Sequence, residues 1–332
     1  MSRPVLLVTH SDDHFTIDRV ADGVRRRGAR PIRVDSDQFP HTITLTLPAT
    51  GLASACLVVD RERVALDAVH AVWVRRMWAG RALESRVDPR FVAACVRESR
   101  ALFRAMLARL EQTVPVVNSF EATLAAEEKP RQLDVAKALG FDIPATLHTN
   151  DPDAVRAFFD ANEGRVVTKL QGALSQSMQA TGDFLYTSRL SRTDLEALGG
   201  LSLAPQVFQE EIDKVRELRV VVVGERVFTG AIDTRALPHA AVDWRRARLS
   251  DDVMWTHATL DDATAQRACA LVDALGLVTG ALDFIESTDG RLVFLEVNPA
   301  GEWGFLEREL ALPIGDALAE ALVDGTPKRS AP

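Results

Sequence analysis

A chain of 332 residues, 47% hydrophobic and with mean hydropathy -0.01, holds enough apolar material for two or three globular lobes. Its net charge of -8, from 39 basic and 47 acidic residues, argues against nucleic-acid binding, which needs a basic face. No apolar run approaches the ~20 residues that cross a bilayer, and MSRPVLLVTHSDDH turns polar too early for a signal peptide, so no membrane partner and a cytoplasmic location are expected.

In chain order, PVLLVTH, a helical pattern over 15–28 and PIRVDSD read as strand, helix and strand, the opening of an α/β lobe. Arg25, Arg26 and Arg27 fall in a solvated last helical turn before Gly28, where cations complement the helix dipole. TITLTL, ACLVVD and HAVWVRRM supply three more strands, a long helix spans 89–111, and PVVNS closes the lobe. A linker is expected over 118–126. EKPRQLDVAKALGFDIP is a helix ended at Gly140, and TNDPDAVRAFFDA a helix with a proline near its start. Strands follow over 165–170, 183–188 and 205–212, with the small polar GALSQSMQATG as a loop between the first two. ELRVVVVGERVFTGAI is a hairpin turning at Gly224-Glu225, a helix spans 261–275, and GALDFIE and LVFLEVN pair across STDG. Cys56, Cys95 and Cys269 lack CxxC or His-Cys spacing and read as small core residues, not as a disulfide or zinc framework; GTPKRSAP reads as a frayed tail.

The chemistry starts in LVFLEVNP, where an apolar strand carries Glu296 and Asn298. A buried carboxylate needs a cation or hydrogen-bond partner. If STDG makes a tight turn, Glu286 faces Arg291 and Asp283 faces Phe294, which puts Asp283, Glu296 and Asn298 on one sheet face, about 7 Å or less apart. Three oxygen donors without thiolate or imidazole suit Mg2+ or Mn2+ carrying phosphate oxygens; the alternative is an acidic pair on a solvated face. No GxxxxGK[ST] or GxGxxG is present, so lysines must meet the phosphates. Lys169 precedes a small-residue loop, although it also reads as an edge or snorkelling charge, and Lys129 as part of a solvated helical turn. Glu210, Glu211 and Ile212 end an apolar strand and offer backbone groups to an adenine edge, while Glu217 suits ribose hydroxyls. Arg219, two residues on, suits a transferring phosphoryl group, with a surface Glu217 to Arg219 ion pair as the alternative. The seven histidines are scattered; His239 alone stands in a loop placed to approach a substrate, with a solvated loop residue as the alternative.

Lys129, Lys169, QEEI, ELR, ALDF and LEVNP, in this order, resemble the ATP-grasp superfamily of carboxylate-amine ligases. Within it, VWVRRM at 72–77, KPRQLDVAKALGFDIPATLHTNDP at 129–152, IDTR at 232–235 and DWR at 243–245 resemble the ligases that cyclise microviridin-type ribosomal peptides, the graspetides. The resemblance implies an α/β (α+β) ATP-grasp fold: an N-terminal open α/β lobe over 1–120, a central lobe over 121–205 and a C-terminal lobe with the metal site over 206–326, the last two sandwiching the nucleotide, then a tail over 327–332. It implies that ATP phosphorylates a side-chain carboxylate of a precursor peptide and that a Ser or Thr hydroxyl, or a Lys amine, of that peptide displaces phosphate. Carried over residue by residue, Asp283, Glu296 and Asn298 hold the metal, Lys129 and Lys169 the phosphates, and Glu210, Glu211, Ile212 and Glu217 the adenosine. Arg219 neutralises the acyl phosphate, and Arg235, where several relatives have glutamine, grips the acceptor carboxylate or marks substrate choice. The implied partners are a peptide with leader and core and a second copy in a homodimer; leader recognition is expected over 172–204 on the separate ground that this stretch carries no nucleotide motif and offers an edge for a peptide. The competing readings are a glutamate-ligase-like enzyme with nearly the same site and a scaffold that binds leader and nucleotide without turnover.

Overall fold

The computed structural model describes residues 3–170, 187–235 and 254–325. Strand β1 (Pro4–Thr9), helix α1 (Phe15–Arg26) and β2 (Arg30–Asp35) open the N-terminal lobe. A three-stranded antiparallel ribbon follows, β3 (Thr44–Thr46), β4 (Cys56–Val59) and β5 (Glu62–Ala65), then β6 (Ala71–Val74), α2 (Pro89–Glu111) and β7 (Val116–Val117). The main sheet is parallel, in the order β2-β1-β6-β7, so the carboxyl ends of β1 and β6 meet where the strand order reverses. Strand β5 was hidden in the sequence because its hairpin turns through Asp60 and Arg61, both at positive φ (51° and 67°), without the usual glycine.

The central lobe contains α3 (Phe120–Ala126), α4 (Lys129–Ala138), β8 (Thr146–Thr149), α5 (Pro152–Ala161), β9 (Val166–Lys169), β10 (Ser188–Arg189) and β11 (Gln206–Glu210). Its strands form an antiparallel sheet in the order β10-β9-β11-β8. The linker expected over 118–126 is therefore mostly a helix, with the Ser119 hydroxyl accepting from the Ala122 N–H at 3.4 Å as its cap. Asn118, before it, is buried and fastens the lobes together. Its Nδ2 donates to the Thr279 carbonyl at 2.7 Å, and its Oδ1 accepts from the N–H groups of Val278 and Thr279 at 2.8 and 3.0 Å.

The last lobe is a five-stranded antiparallel sheet of β12 (Lys214–Val223), β13 (Arg226–Asp233), β14 (Thr256–His257), β15 (Thr279–Ser287) and β16 (Leu292–Asn298), in the order β14-β13-β12-β15-β16, with α6 (Asp262–Ala274) between β14 and β15. One face carries Leu218, Val220, Val222, Leu282, Phe284 and Phe294 into a core with α4 and α6. Two helices that the sequence reading did not foresee, α7 (Gly304–Leu310) and α8 (Ile314–Val323), cover the Val221 and Val223 end of the other face. They also pack against Val5, Leu7, Ile17 and Val20, so the C-terminus buries part of the N-terminal sheet. Helices α1 and α8 approach closely enough that a Cβ added to Gly23 would lie 2.6 Å from the Ala319 Cβ.

That contact corrects the reading of Arg27, which is mostly buried. Its guanidinium grips Asp316 of α8 at 2.7 and 2.9 Å, and this bond holds the Asp316 carboxyl well below the usual range. Cys56 and Cys269 are buried thiols, whereas Cys95 is half-exposed. Among the described residues no helix is long and apolar enough to cross a membrane.

Candidate active site

The hairpin of β15 and β16 departs from simple counting twice. Glu286 pairs with Leu292 instead of Arg291, because the turn is a residue longer and Ser287 hydrogen-bonds Arg291 across it. A bulge then inserts Leu295, so that Phe284 faces Phe294 while Asp283 faces Glu296, not Phe294. Either offset alone turns the strand over; the two together restore the face. The expected sharing of one face by Asp283, Glu296 and Asn298 therefore holds with a different register. Asn298 Nδ2 donates to Asp283 Oδ2 at 3.1 Å and to Glu296 Oε1 at 3.3 Å.

Cations surround this pair. Lys129, on the first turn of α4, forms an ion pair with Glu296, and Lys169 on β9 reaches the same carboxylate electrostatically from the central lobe. Burial alone would raise the Glu296 carboxyl, but Lys129 and Lys169 outweigh it and hold the group well below its ordinary range. On β12, Arg219 sits opposite Asp283, with Nη1 3.1 Å from Asp283 Oδ1. The angle is wrong for a hydrogen bond, and both Nη1 and Nε of Arg219 are buried without an acceptor. Three cations thus stand around two carboxylates, and two buried donors are unsatisfied. Both features suit an incoming anion.

Sequence reasoning missed Gln132, one turn along α4 from Lys129. It is buried; its Nε2 donates to the carbonyls of Ala126 and Val297 at 2.5 and 2.8 Å, and its Oε1 accepts from the Val297 N–H at 2.8 Å. Since β16 is an edge strand, Gln132 satisfies backbone groups that have no neighbouring strand and fixes α4 against the Glu296 strand. An amide beside Leu133 on the buried side of a helix was the signal available for it.

The other expected residues divide. Glu217 lies on the same strand face as Arg219, but Lys214 engages it, so the surface Glu217 to Arg219 pair is not formed. Glu210 and Glu211 have their backbone N–H groups bound to the carbonyls of Ala145 and Arg165, each at 2.9 Å. The Glu211 side chain is paired with Arg189, and Glu210 Oε2 accepts from the Ala145 N–H at 3.2 Å. Among the described residues the Ile212 N–H has no acceptor and is the one amide of the three left for a ligand. Residues 210–213 line a cleft of about 390 Å³ whose far wall is the 287–291 turn; this cleft does not include the carboxylate pair. Arg235 is not brought to the carboxylates. It is exposed and folds back on Asp233, at 2.6 and 3.1 Å, holding that carboxyl down to about 2. His239, DWR at 243–245 and the 172–186 part of the expected leader region lie outside the described residues.

Among the described residues no three His, Cys, Asp or Glu side chains gather, so a divalent ion here needs the Asn298 carboxamide and phosphate oxygens to fill its shell. The Asn298 amide nitrogen now lies between the two carboxylates, where a cation belongs; turning the amide over presents Oδ1 instead. The donor set therefore fits Mg2+ that arrives with a nucleotide.

Residues 4–123 match the family described as the MvdD pre-ATP grasp domain. Over 97% of this chain and 99% of the other, the crystal structure of the macrocyclase MdnB from Microcystis aeruginosa is similar at TM-score 0.82 and 42% identity. The chain belongs to the ATP-grasp macrocyclases. A RiPP-associated ATP-grasp ligase of Chryseobacterium gregarium, solved with ADP and a leader and core peptide, is 28% identical at TM-score 0.87 over 99% of both chains. A probable alpha-L-glutamate ligase of Xanthomonas oryzae pv. oryzae is 30% identical over 242 residues, 71% of this chain and 77% of that protein. The α/β ATP-grasp fold and ATP-dependent ligase activity read from the sequence both hold for this macrocyclase relative.

Proposed function

We propose that this ATP-grasp ligase closes rings in a ribosomal precursor peptide, recognising its leader and acting on its core. The observation that carries the reading is the opposed pair Asp283 and Glu296, bridged by Asn298 and ringed by Lys129, Lys169 and Arg219, in a chain so similar to a macrocyclase. In the first step an Asp or Glu side-chain oxygen of the peptide bonds to the γ-phosphorus of ATP, and the bond to the β,γ-bridging oxygen breaks to release ADP. In the second, a Ser or Thr hydroxyl, or a Lys amine, attacks the carbonyl and loses its proton as phosphate departs. An ω-ester or ω-amide ring results.

Both steps bring anions together, so positioning and charge neutralisation supply the catalysis without a protein nucleophile. Lys129 and Lys169 hold the phosphates, and the unsatisfied Arg219 donors meet the acyl-phosphate oxygens. The Ile212 N–H meets the adenine edge, supported by Glu210 and Glu211, and Glu217 takes ribose hydroxyls. Asp283, Glu296 and Asn298 would hold Mg2+ or Mn2+, which when bound offsets phosphate charge. The enzyme is a cytoplasmic homodimer in this reading, without nucleic-acid or membrane partners. Mass spectrometry of the precursor after incubation with enzyme, ATP and Mg2+ tests it: loss of one water per ring is expected. Added glutamates favour the glutamate-ligase reading, and an unchanged peptide contradicts cyclisation.

A further inference from the structure

Along a regular strand, residues three apart point to opposite faces. Lys214 and Glu217, both on β12, nevertheless form an ion pair at 2.5 Å, with only 7% and 12% of their side chains exposed. A bulge explains the contact. Lys214 pairs with Ser287 of β15 and Arg216 with the adjacent Glu286, so Val215 is an extra residue with no counterpart on that strand. Its carbonyl accepts instead from the N–H and the hydroxyl of Thr234, just past β13, each at 3.2 Å. Ser287 shares a face with Asp283 and Ile285, so the bulge turns Lys214 to the face of Glu217 and Arg219. Arg216 is left on the opposite side, where it binds Glu286 at 2.5 Å.

Stability accounts poorly for such a pair. Taking an ammonium and a carboxylate out of water is costly, and apolar residues of similar size often serve a fold as well or better. Its place accounts for it better. Lys214 opens β12 directly after 210–213, where the chain crosses from the central lobe, and the Thr288 N–H steadies that crossing by donating to the Asp213 carbonyl at 2.9 Å. Glu217 lies on the open face between this crossing and the carboxylate pair, two residues before Arg219. In the reading above it takes ribose hydroxyls. A carboxylate offers about four acceptor positions, so one ammonium donor fixes its orientation without exhausting it.

We propose that Lys214 is a positioning residue: it holds Glu217 where the carboxylate accepts from the ribose hydroxyls, and so sets the preference of the enzyme for ribonucleotides over nucleotides that lack them. This rests on the assignment of Glu217 to the ribose.

Binding of ADP and of 2′,3′-dideoxyADP, measured by calorimetry with Mg2+ and without peptide, tests this apart from ring formation. The unaltered enzyme should bind the dideoxy nucleotide about a hundredfold more weakly, two tenfold steps of about 1.4 kcal/mol each. Glu217→Ala should abolish that difference. Lys214→Met should reduce it to about tenfold or less, by weakening ADP while leaving dideoxyADP nearly unaffected. A purely structural role would instead weaken both nucleotides alike and keep the hundredfold ratio, and that result overturns the proposal. Lys214→Arg should retain most of the ratio; a loss as deep as in Lys214→Met contradicts positioning by charge. If Lys214→Met does not fold, Lys214→Gln runs the same comparison. Should Glu217→Ala keep the full ratio, or the unaltered enzyme show none, the ribose assignment fails and the proposal with it, while ring closure is judged separately by mass spectrometry.

Discussion

The two faces of the C-terminal sheet share the same strands and have opposite chemistry. Leu218, Val220, Leu282, Phe284 and Phe294 point one way, into a core with α4 and α6; Glu217, Arg219, Asp283, Glu296 and Asn298 point the other, toward the central lobe. Alternation alone explains β12. On β16 it does not, since Phe294 and Val297 are three apart and yet both enter the same core. The bulge at Leu295 reconciles them, serving packing and chemistry in one irregularity. At the Asp283 end of the sheet, packing therefore resides on one face and, in the proposed reading, turnover on the other, and substitutions can test that division.

Glu296→Gln should have the largest effect on activity. It removes a proposed metal ligand and the partner of Lys129, so turnover should fall by more than the roughly 10–100-fold that losing a metal's outer partners costs, with the circular dichroism spectrum unchanged. Retained ring formation would show that the metal assignment is wrong. Phe294→Ala, two residues away on the other face, should do the reverse, lowering unfolding free energy by about 3–5 kcal/mol in a denaturant titration while the folded fraction keeps its specific activity. Gln132→Ala should do some of both. Unsatisfied Val297 backbone groups cost about 1–3 kcal/mol, and turnover should fall moderately as Lys129 loses its register with Glu296. Arg235→Ala should be the mildest, within about 0.5 kcal/mol in stability and with little change in rate, because its guanidinium is engaged by Asp233 at the surface. A large rate loss there would restore it as an acceptor contact.

What the sequence disclosed follows from how local each feature is. The helix read over 89–111 is Pro89–Glu111, since Asp88 caps it and the proline sits in its first turn. The hairpin at Gly224 is equally local, that glycine adopting a φ of 57°. Asp283, Glu296 and Asn298 share a face as read, but only because a longer turn and a bulge cancel. Neither irregularity leaves a mark in apolar periodicity. Helices α7 and α8 were missed because GFLEREL and IGDALAEALV are short, and tertiary contacts with α1 and the sheet complete their burial. The same contacts turned Arg27 from a solvated charge into a partner of Asp316. Gln132 escaped notice for a related reason: a buried polar side chain is defined by what surrounds it, and several elements supply those surroundings.

The claim on which the rest depends is that Asp283, Glu296 and Asn298 share metal ions with a triphosphate. Anomalous scattering from crystals of the enzyme soaked with Mn2+, with and without a non-hydrolysable ATP analogue, tests it most directly. Because three cations already surround the two carboxylates, the peak should appear only with the nucleotide, within bonding distance of both carboxylates and with the Asn298 amide turned over. A peak elsewhere in the cleft, or one at this site in crystals without nucleotide, would contradict the account.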